Sequence, residues 1–233
     1  MLKKILTFCL AFIFVLSATA QQLKTPAPSP TATVKQDFGL SSIELNYSRP
    51  GIKGRKIFGD LVPYGKVWRT GANSATTISF GDEVTIGGNK IPAGKYGLLT
   101  IPGETEWTII ITKQTNVNNP SLYKPEEDVA RVTITPQILP FSIETFTIDM
   151  EDVTNTSLVI GILWDNVYVG IPVTTEIDSK VMAQIDAAMK TDKPPYFQAA
   201  AYYLDNNKDL NKALEWFTKA EAENKDAYWV VYQ

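Results

Sequence analysis

The sequence predicts a mainly β protein, an antiparallel β-sandwich of jelly-roll-like type, followed by a small α-helical tail. Two observations carry this prediction. Residues 37–174 consist of short runs rich in β-branched residues, separated by Gly, Pro and Asn, with no helical period among them. After Pro172 the apolar residues recur every four positions instead, which is the spacing of a helix face. The sandwich domain is therefore assigned to 37–174 and the tail to 175–233.

The strands are predicted from alternation and from the turn residues that separate them. The run SIELNY at 42–47 places Ile43, Leu45 and Tyr47 on one face of an extended chain. Within 83–101, Gly87-Gly88-Asn89 marks a tight turn. The other runs carry similar signals, and they are 75–80, 106–112, 129–135, 142–149, 157–164 and 167–173. Short strands in such a series favour a sandwich or a barrel.

The N-terminal region predicts export. Residues 1–20 begin with Lys3 and Lys4, continue as a short apolar run, and end in Ala18-Thr19-Ala20, an A-x-A cleavage site. The run is shorter than the ~20 residues that span a bilayer, so it is interpreted as a cleaved signal peptide. Residues 21–36 are proline-rich and are interpreted as a linker. The expected location is periplasmic, extracellular or envelope-associated, with no transmembrane segment in the mature chain.

Composition excludes several classes of function. The chain contains no histidine, and its single cysteine, Cys9, lies in the predicted signal peptide. Ser-His-Asp and Cys-His catalysis and histidine-ligated metal sites are therefore excluded, and no cofactor or metal site is predicted. Without residues 1–20 the chain has 20 basic and 25 acidic side chains, a formal charge of −5. That balance argues against nucleic acid as a partner.

The tail is predicted to be helical. A first apolar stripe precedes Pro194-Pro195, which begins a second helix, and a third follows. The packing positions resemble those of one tetratricopeptide repeat, and they are Phe197, Ala200, Ala201, Leu204, Ala213, Phe217 and Ala220. Tyr196-Phe197 recurs as Tyr228-Trp229, which indicates the start of a second repeat. One repeat cannot bury its own face, so either these helices pack on the sandwich or further repeats follow.

Residues 48–73 form the candidate functional segment. The stretch is basic in an acidic chain and contains many turn residues and few strand signals. Connections of this length are uncommon in compact domains and are often functional. Its apolar residues are expected to fix it to the sandwich, so that Arg49, Lys56 and Arg69 lie on one open face. The candidate ligand-binding residues are Arg49, Lys53, Arg55, Lys56, Tyr64, Trp68, Arg69 and Asn73.

The chemistry of these residues indicates an anionic or sugar ligand. Arginine pairs bidentately with carboxylate, sulfate or phosphate. Trp68 and Tyr64 offer stacking faces for a sugar ring or a cation, and Asn73 offers a partner for a hydroxyl. The alternative is structural, with the arginines tying the loop to acidic neighbours and Trp68 belonging to the core.

The same segment carries a resemblance to a bacterial protein family. The stretches YSRPGIKGRKIFGDLVPYGKVWRTGANSATTISF and GGNKIPAGKYGLLTIPGETEWTIIITK, with the later LVIGILWDNVYVGIPV, resemble the family called domain of unknown function 2911. The resemblance covers residues 38–173. It implies a β fold and an exported protein of the Bacteroidetes cell envelope, and it brings no established activity and no catalytic residues.

Three functions are compatible with the sequence. The leading interpretation is a non-enzymatic binding or interaction module of the cell envelope, in which the loop 48–73 holds an envelope ligand or a protein partner. The second is a carboxylate-dependent glycan hydrolase. Its candidate acids are Glu104, Glu106, Asp149, Glu151, Asp152 and Asp165. The third is a protein-interaction scaffold whose contacts lie on the helical tail.

Overall fold

The computed structural model describes residues 25–223 and contains two antiparallel sheets followed by three helices. The order in the six-stranded sheet is β1 (Thr31–Phe38), β2 (Ser41–Ser48), β3 (Thr77–Phe80), β6 (Gly94–Ile101), β7 (Trp107–Thr112) and β8 (Asp128–Ile134). The order in the four-stranded sheet is β5 (Asn89–Ile91), β4 (Val84–Ile86), β10 (Ser157–Thr174) and β9 (Gln137–Glu151). The prediction of a β-sandwich with a small helical tail is confirmed.

Alternation along the strands builds the core between the sheets. In β2, the side chains of Ile43, Leu45 and Tyr47 are buried, and the residues between them are exposed. The register of β2 with β3 places Phe80, also buried, opposite Ile43. Removing such side chains from water stabilises the fold by ~25 cal/mol for each Å² of apolar surface. The face predicted from SIELNY is the face that packs.

The last strand of the sandwich doubles back on itself. Asp165 has a φ of +52°, a left-handed conformation that aspartate accepts more readily than most residues. The backbone N–H of Thr175 donates to the carbonyl of Thr156 at 2.9 Å, so the two halves of β10 lie side by side. These halves correspond to the strands predicted at 157–164 and 167–173.

The first strand begins before residue 37, where the sequence predicts the start of the sandwich. β1 starts at Thr31 and pairs with β2 along its whole length, so residues 31–36 belong to the sandwich rather than to a linker. The reason is that Ala32 and Val34 pack against the core while Thr33, between them, faces solvent. The predicted signal peptide and the linker up to residue 24 lie outside the described residues.

The three helices, α1 (Asp178–Ala188), α2 (Tyr196–Asp205) and α3 (Leu210–Glu223), have an apolar cluster of their own. Of the predicted repeat positions, Ala200, Ala213, Phe217 and Ala220 are buried, and Phe197, Ala201 and Leu204 are partly buried. The tetratricopeptide-like assignment stays a prediction, and Tyr228-Trp229 lies outside the described residues. Within residues 25–223, no helix is both long enough and apolar enough to cross a membrane.

Polar contacts attach α1 to one end of the sandwich. Lys180 forms an ion pair with Asp82, which lies between β3 and β4. The hydroxyl of Thr175 donates to the carbonyl of Glu83 at 2.8 Å. The hydrogen bond from Lys180 holds the pKa of Asp82 below its usual value. The start of the tail is therefore held by the sandwich, although its apolar cluster is separate from the main core.

A buried tyrosine joins the two sheets. The hydroxyl of Tyr47, in β2, donates to the carbonyl of Ile148 and accepts from the backbone N–H of the same residue, both at 2.9 Å. Ile148 lies in β9, which belongs to the other sheet. One hydroxyl therefore satisfies two main-chain groups that are buried away from water.

Replacing Tyr47 by phenylalanine is expected to lower the free energy of unfolding by about 2 kcal/mol, because it leaves a buried N–H and a buried C=O without partners. Equilibrium unfolding in urea measures this loss. Tyr96→Phe is the matched control, since the Tyr96 hydroxyl makes one local bond, to the carbonyl of Pro92 at 3.0 Å. Equal losses in the two variants would contradict the bridging role.

Candidate functional site

The loop 48–73 begins by closing the edge of the four-stranded sheet. The backbone N–H of Ile52 donates to the carbonyl of Glu144, and that of Phe146 donates to the carbonyl of Pro50, both at 2.9 Å. Gly51 and Thr145 form an antiparallel bridge between these bonds. The chain that leaves β2 therefore pairs with β9. This pairing fixes the start of the loop to the body of the sandwich.

Aromatic packing holds the middle of the loop. Phe58 is buried and contacts Trp107 edge-on, with ring centroids 5.0 Å apart. Trp68 stacks on Trp164 at 5.9 Å with an interplanar angle of 16°. The main chain of Trp68 also exchanges two hydrogen bonds with Thr100 of β6, at 2.7 and 3.0 Å. The expectation that apolar residues fix this loop to the sandwich matches these contacts.

Several of the predicted site residues have structural roles or lie apart. Arg49 donates from Nε to the carbonyl of Phe146 at 3.1 Å and from Nη2 to the hydroxyl of Thr147 at 2.8 Å, so it ties the loop to β9. Asn73 donates to the carbonyl of Ser29 at 3.1 Å. Lys53, Lys56 and Tyr64 are exposed and line neither of the two pockets described below.

Three of the predicted residues come together in one pocket. Arg55, Trp68 and Arg69 line an open cavity of about 270 Å³. The other lining residues are Ser29, Pro50, Leu61, Val62, Gly71, Ala72 and Trp164. Trp164 is a lining residue that the sequence does not indicate, because the run 157–164 carries only the signal of a core strand. It forms part of the wall here because Trp68 stacks on it.

A second pocket adjoins the first. It has a volume of about 370 Å³ and is lined by Leu61, Val62, Pro63, Lys66, Val67, Trp68, Arg69 and Pro120. The two pockets share Leu61, Val62, Trp68 and Arg69. We call the two together the groove. The first pocket carries two guanidinium groups, and the second is mostly apolar.

Main-chain carbonyl groups orient the two arginines of the groove. Arg55 donates from Nε to the carbonyl of Ile52 at 2.9 Å and from Nη2 to that of Gly51 at 2.6 Å. Arg69 donates from Nη1 to the carbonyl of Asn118, and its Nε is buried without a hydrogen-bond partner in residues 25–223. Carbonyl oxygens are neutral, so these contacts fix the geometry without cancelling the charge.

The groove is electropositive. In the part of the chain that the structure describes, Arg55, Lys66 and Arg69 form no ion pair, since the five ion pairs found there involve other residues. The residues that line the two pockets include no Asp and no Glu. A concave surface lined by one sign of charge concentrates the opposite sign. The charged side chains that line the groove are therefore all cationic.

Comparison with known protein families gives one match, and it includes all the residues that line the groove. Residues 29–173 match the family described as protein of unknown function (DUF2911). The chain belongs to this family. The match runs from just before β1 to the end of β10, so the loop 48–73 is part of the DUF2911 domain and the helices lie outside it. Neither a curated protein nor a solved structure matches the chain.

The acids of the DUF2911 domain are not arranged around its groove. The candidates for glycan hydrolysis were Glu104, Glu106, Asp149, Glu151, Asp152 and Asp165, and none of them lines either pocket. Asp165 instead accepts a hydrogen bond from the hydroxyl of Ser142 at 2.9 Å. Among residues 25–223 there is also no group of three acidic side chains placed to hold a metal ion. The chemistry that the groove offers is charge and apolar surface.

Proposed function

We propose that this chain is an exported, non-enzymatic binding module of the cell envelope whose groove holds an anionic ligand. The observation that carries the proposal is that Arg55 and Arg69 line one pocket to which no acidic side chain contributes. Both guanidinium groups are held by main-chain carbonyls. Because the two side chains are already ordered, less of their conformational entropy is lost when a ligand binds. A sugar carrying a negative group is one form of such a ligand.

The sequence supports the proposed location. The signal-like residues 1–20 and the proline-rich stretch after them are typical of an exported protein. A mature chain without cysteine would fold in an oxidising compartment without competing disulfides. Release of a chain that begins after Ala20 into the periplasm or medium, shown by N-terminal sequencing, is the expected result.

One observation keeps a scaffold role for the tail as a second candidate. Leu210 and Leu214, one turn apart on α3, are exposed large apolar residues. Residues at this spacing share one face of a helix, and exposed apolar faces mark interaction surfaces when they form a patch. In this alternative the sandwich carries the tail, and deleting residues 175–233 abolishes partner binding while leaving anion binding unchanged.

Removing the two groove arginines is expected to abolish anion binding. In the Arg55→Gln/Arg69→Gln variant, affinity for sulfate and for glucuronate should fall about 100-fold, since each charged hydrogen-bonding contact contributes about tenfold. Isothermal titration calorimetry on the purified protein, at fixed low ionic strength, measures the change. Neutral galactose serves as the uncharged probe and is expected to bind more weakly than either anion.

The matched control removes the same number of positive charges from other positions in the same loop. Lys53→Gln/Lys56→Gln removes two exposed cations that line neither pocket. Only their long-range attraction for the anion is lost, and salt screens it, so the affinity for the anion should change by less than about twofold. If both double variants weaken binding equally, the net charge of the loop decides and the groove is not the site. If neither does, the proposal fails.

A further inference from the structure

We propose that the ligand of the groove is an amphiphilic anion, in which a negatively charged head group is joined directly to an aliphatic or aromatic body. This inference rests on the proposed function, because it takes the groove as the binding site and specifies what fills it. The ligand class is a carboxylate, sulfate or phosphate whose attached body is apolar and carries few hydroxyl groups.

The first pocket supplies the site for the head group. Arg55 uses Nε and Nη2 for the carbonyls of Ile52 and Gly51, and Arg69 uses Nη1 for the carbonyl of Asn118. A guanidinium has five N–H donors, so each arginine keeps donors for the oxygens of an anion. Two such groups in one pocket fit a planar carboxylate or a tetrahedral anion by charge-assisted hydrogen bonds.

The second pocket supplies the site for the body. Its lining includes Leu61, Val62, Pro63, Val67 and Pro120, whose side chains have no hydrogen-bonding groups. A hydroxylated ring placed there would lose bonds to water and find side-chain donors only on Lys66, Arg69 and the Trp68 indole, which already donates to the carbonyl of Gly71. An alkyl chain or a phenyl ring loses nothing and releases water from apolar surface.

The two pockets are placed to accept one ligand together. They share Leu61, Val62, Trp68 and Arg69, so a molecule held at Arg69 extends from the cationic pocket into the apolar one without leaving the groove. The first pocket, at about 270 Å³, is smaller than a usual ligand pocket, and the second, at about 370 Å³, lies near the lower end of the usual range, which begins at about 300 Å³. These sizes suit a head group on one side and a short chain on the other.

A homologous series of carboxylates tests the inference directly. Acetate, butanoate, hexanoate and octanoate are titrated into the purified protein by calorimetry, below the concentration at which octanoate forms micelles. Affinity is expected to rise about twofold to threefold with each added methylene, since each one buries apolar surface in the second pocket. Glucuronate, a carboxylate on a hydroxylated ring, should bind no better than acetate, and uncharged octanol should bind at least about tenfold more weakly than octanoate.

Two leucine variants test whether octanoate binds in the second pocket or at any exposed apolar side chain. Leu61 lines both pockets and is 44% exposed, while Leu40, in the turn after β1, is 46% exposed and lies outside the groove. Leu61→Ser should weaken octanoate binding about fivefold and leave inorganic phosphate binding unchanged. Leu40→Ser should change neither.

N-acetyl-alanyl-leucine with a free carboxylate, compared with octanoate, distinguishes a peptide terminus from a fatty acid as the source of this chemistry.

The possible results bear separately on the amphiphilic ligand and on the anion-binding function. Rising affinity along the series, lost in Leu61→Ser, supports the inference. If phosphate, glucuronate and octanoate bind with equal affinity and all depend on Arg55 and Arg69, the inference is overturned and the anion-binding function stands. If no anion binds, or if binding survives Arg55→Gln/Arg69→Gln, the proposed function fails and the inference fails with it.

Discussion

Replacing Trp164 by alanine is expected to lower the free energy of unfolding by about 4 kcal/mol, which is the usual cost of removing a large buried aromatic side chain. Trp164 is 1% exposed and contacts Trp68, Phe58 and Phe146 through its ring. Its indole N–H donates to the carbonyl of Glu144 at 3.3 Å. Because folded domains are stable by only about 5–15 kcal/mol, this loss is a large part of the total. Urea unfolding followed by circular dichroism measures it.

The matched control is Trp107, which is equally buried at 1% exposure and contacts Phe58 and Trp68 from the six-stranded sheet. Trp107→Ala should cost a similar amount, but Trp107 does not line the groove.

The milder variants Trp164→Phe and Trp107→Phe keep the fold for binding measurements. We expect octanoate affinity to fall about threefold in Trp164→Phe, since Trp68 loses part of its stacking partner, and to stay unchanged in Trp107→Phe. The reverse order would contradict the placement of Trp164 in the groove wall.

The fold could be predicted because its signals are local. Alternation in 42–47, the turn at Gly87-Gly88-Asn89 and the reversal at Asp165 each depend on residues within a few positions of one another. The strand at 31–36 was missed for a local reason as well, since Thr-Ala-Thr-Val lacks large apolar residues and follows three prolines. Its pairing with β2 outweighs this weak propensity, as tertiary context does in most sheets.

The site could be predicted only in part because its contacts are distant in sequence. Arg49 and Arg55 have the same chemistry and lie six positions apart, yet Arg49 bonds to Phe146 and Thr147 of β9 while Arg55 lines the groove. Nothing near Arg49 in the sequence indicates which main-chain carbonyl will capture it. Trp164 joins the groove for the same kind of reason, through its stacking on Trp68.

The six-stranded sheet also positions the segment that orients Arg69. Asn118, whose carbonyl accepts from Arg69, and Pro120, which lines the second pocket, belong to the connection between β7 and β8. That connection folds back over β6, where the carbonyl oxygen of Gln114 occupies the space beside Gly97. A glycine in the middle of β6, a strand that contributes no side chain to the groove, therefore leaves room for the main chain of this connection.

Replacing Gly97 by alanine is expected to lower the free energy of unfolding by about 3 kcal/mol, because the new methyl group overpacks a rigid site. A Cβ atom there would lie 2.2 Å from the carbonyl oxygen of Gln114. The Gln114 side chain is tied down on both sides, accepting from the backbone N–H of Lys124 at 2.7 Å and donating to the carbonyl of Leu122 at 2.9 Å. Main chain held in this way cannot move aside at low cost.

Gly161→Ala is the control that separates this effect from the loss of a strand glycine as such. A Cβ at Gly161 would come even closer to an oxygen, at 1.9 Å, but that oxygen is the far end of the half-buried Glu151 side chain, which can shift at lower cost than main chain. We therefore expect Gly161→Ala to cost about 1 kcal/mol or less. We also expect Gly97→Ala, assayed in conditions where it is folded, to weaken anion binding by displacing the connection that holds Arg69. Equal stability losses in the two variants, or unchanged anion affinity in Gly97→Ala, would show that the Gln114–Leu122 connection does not set the geometry of the groove.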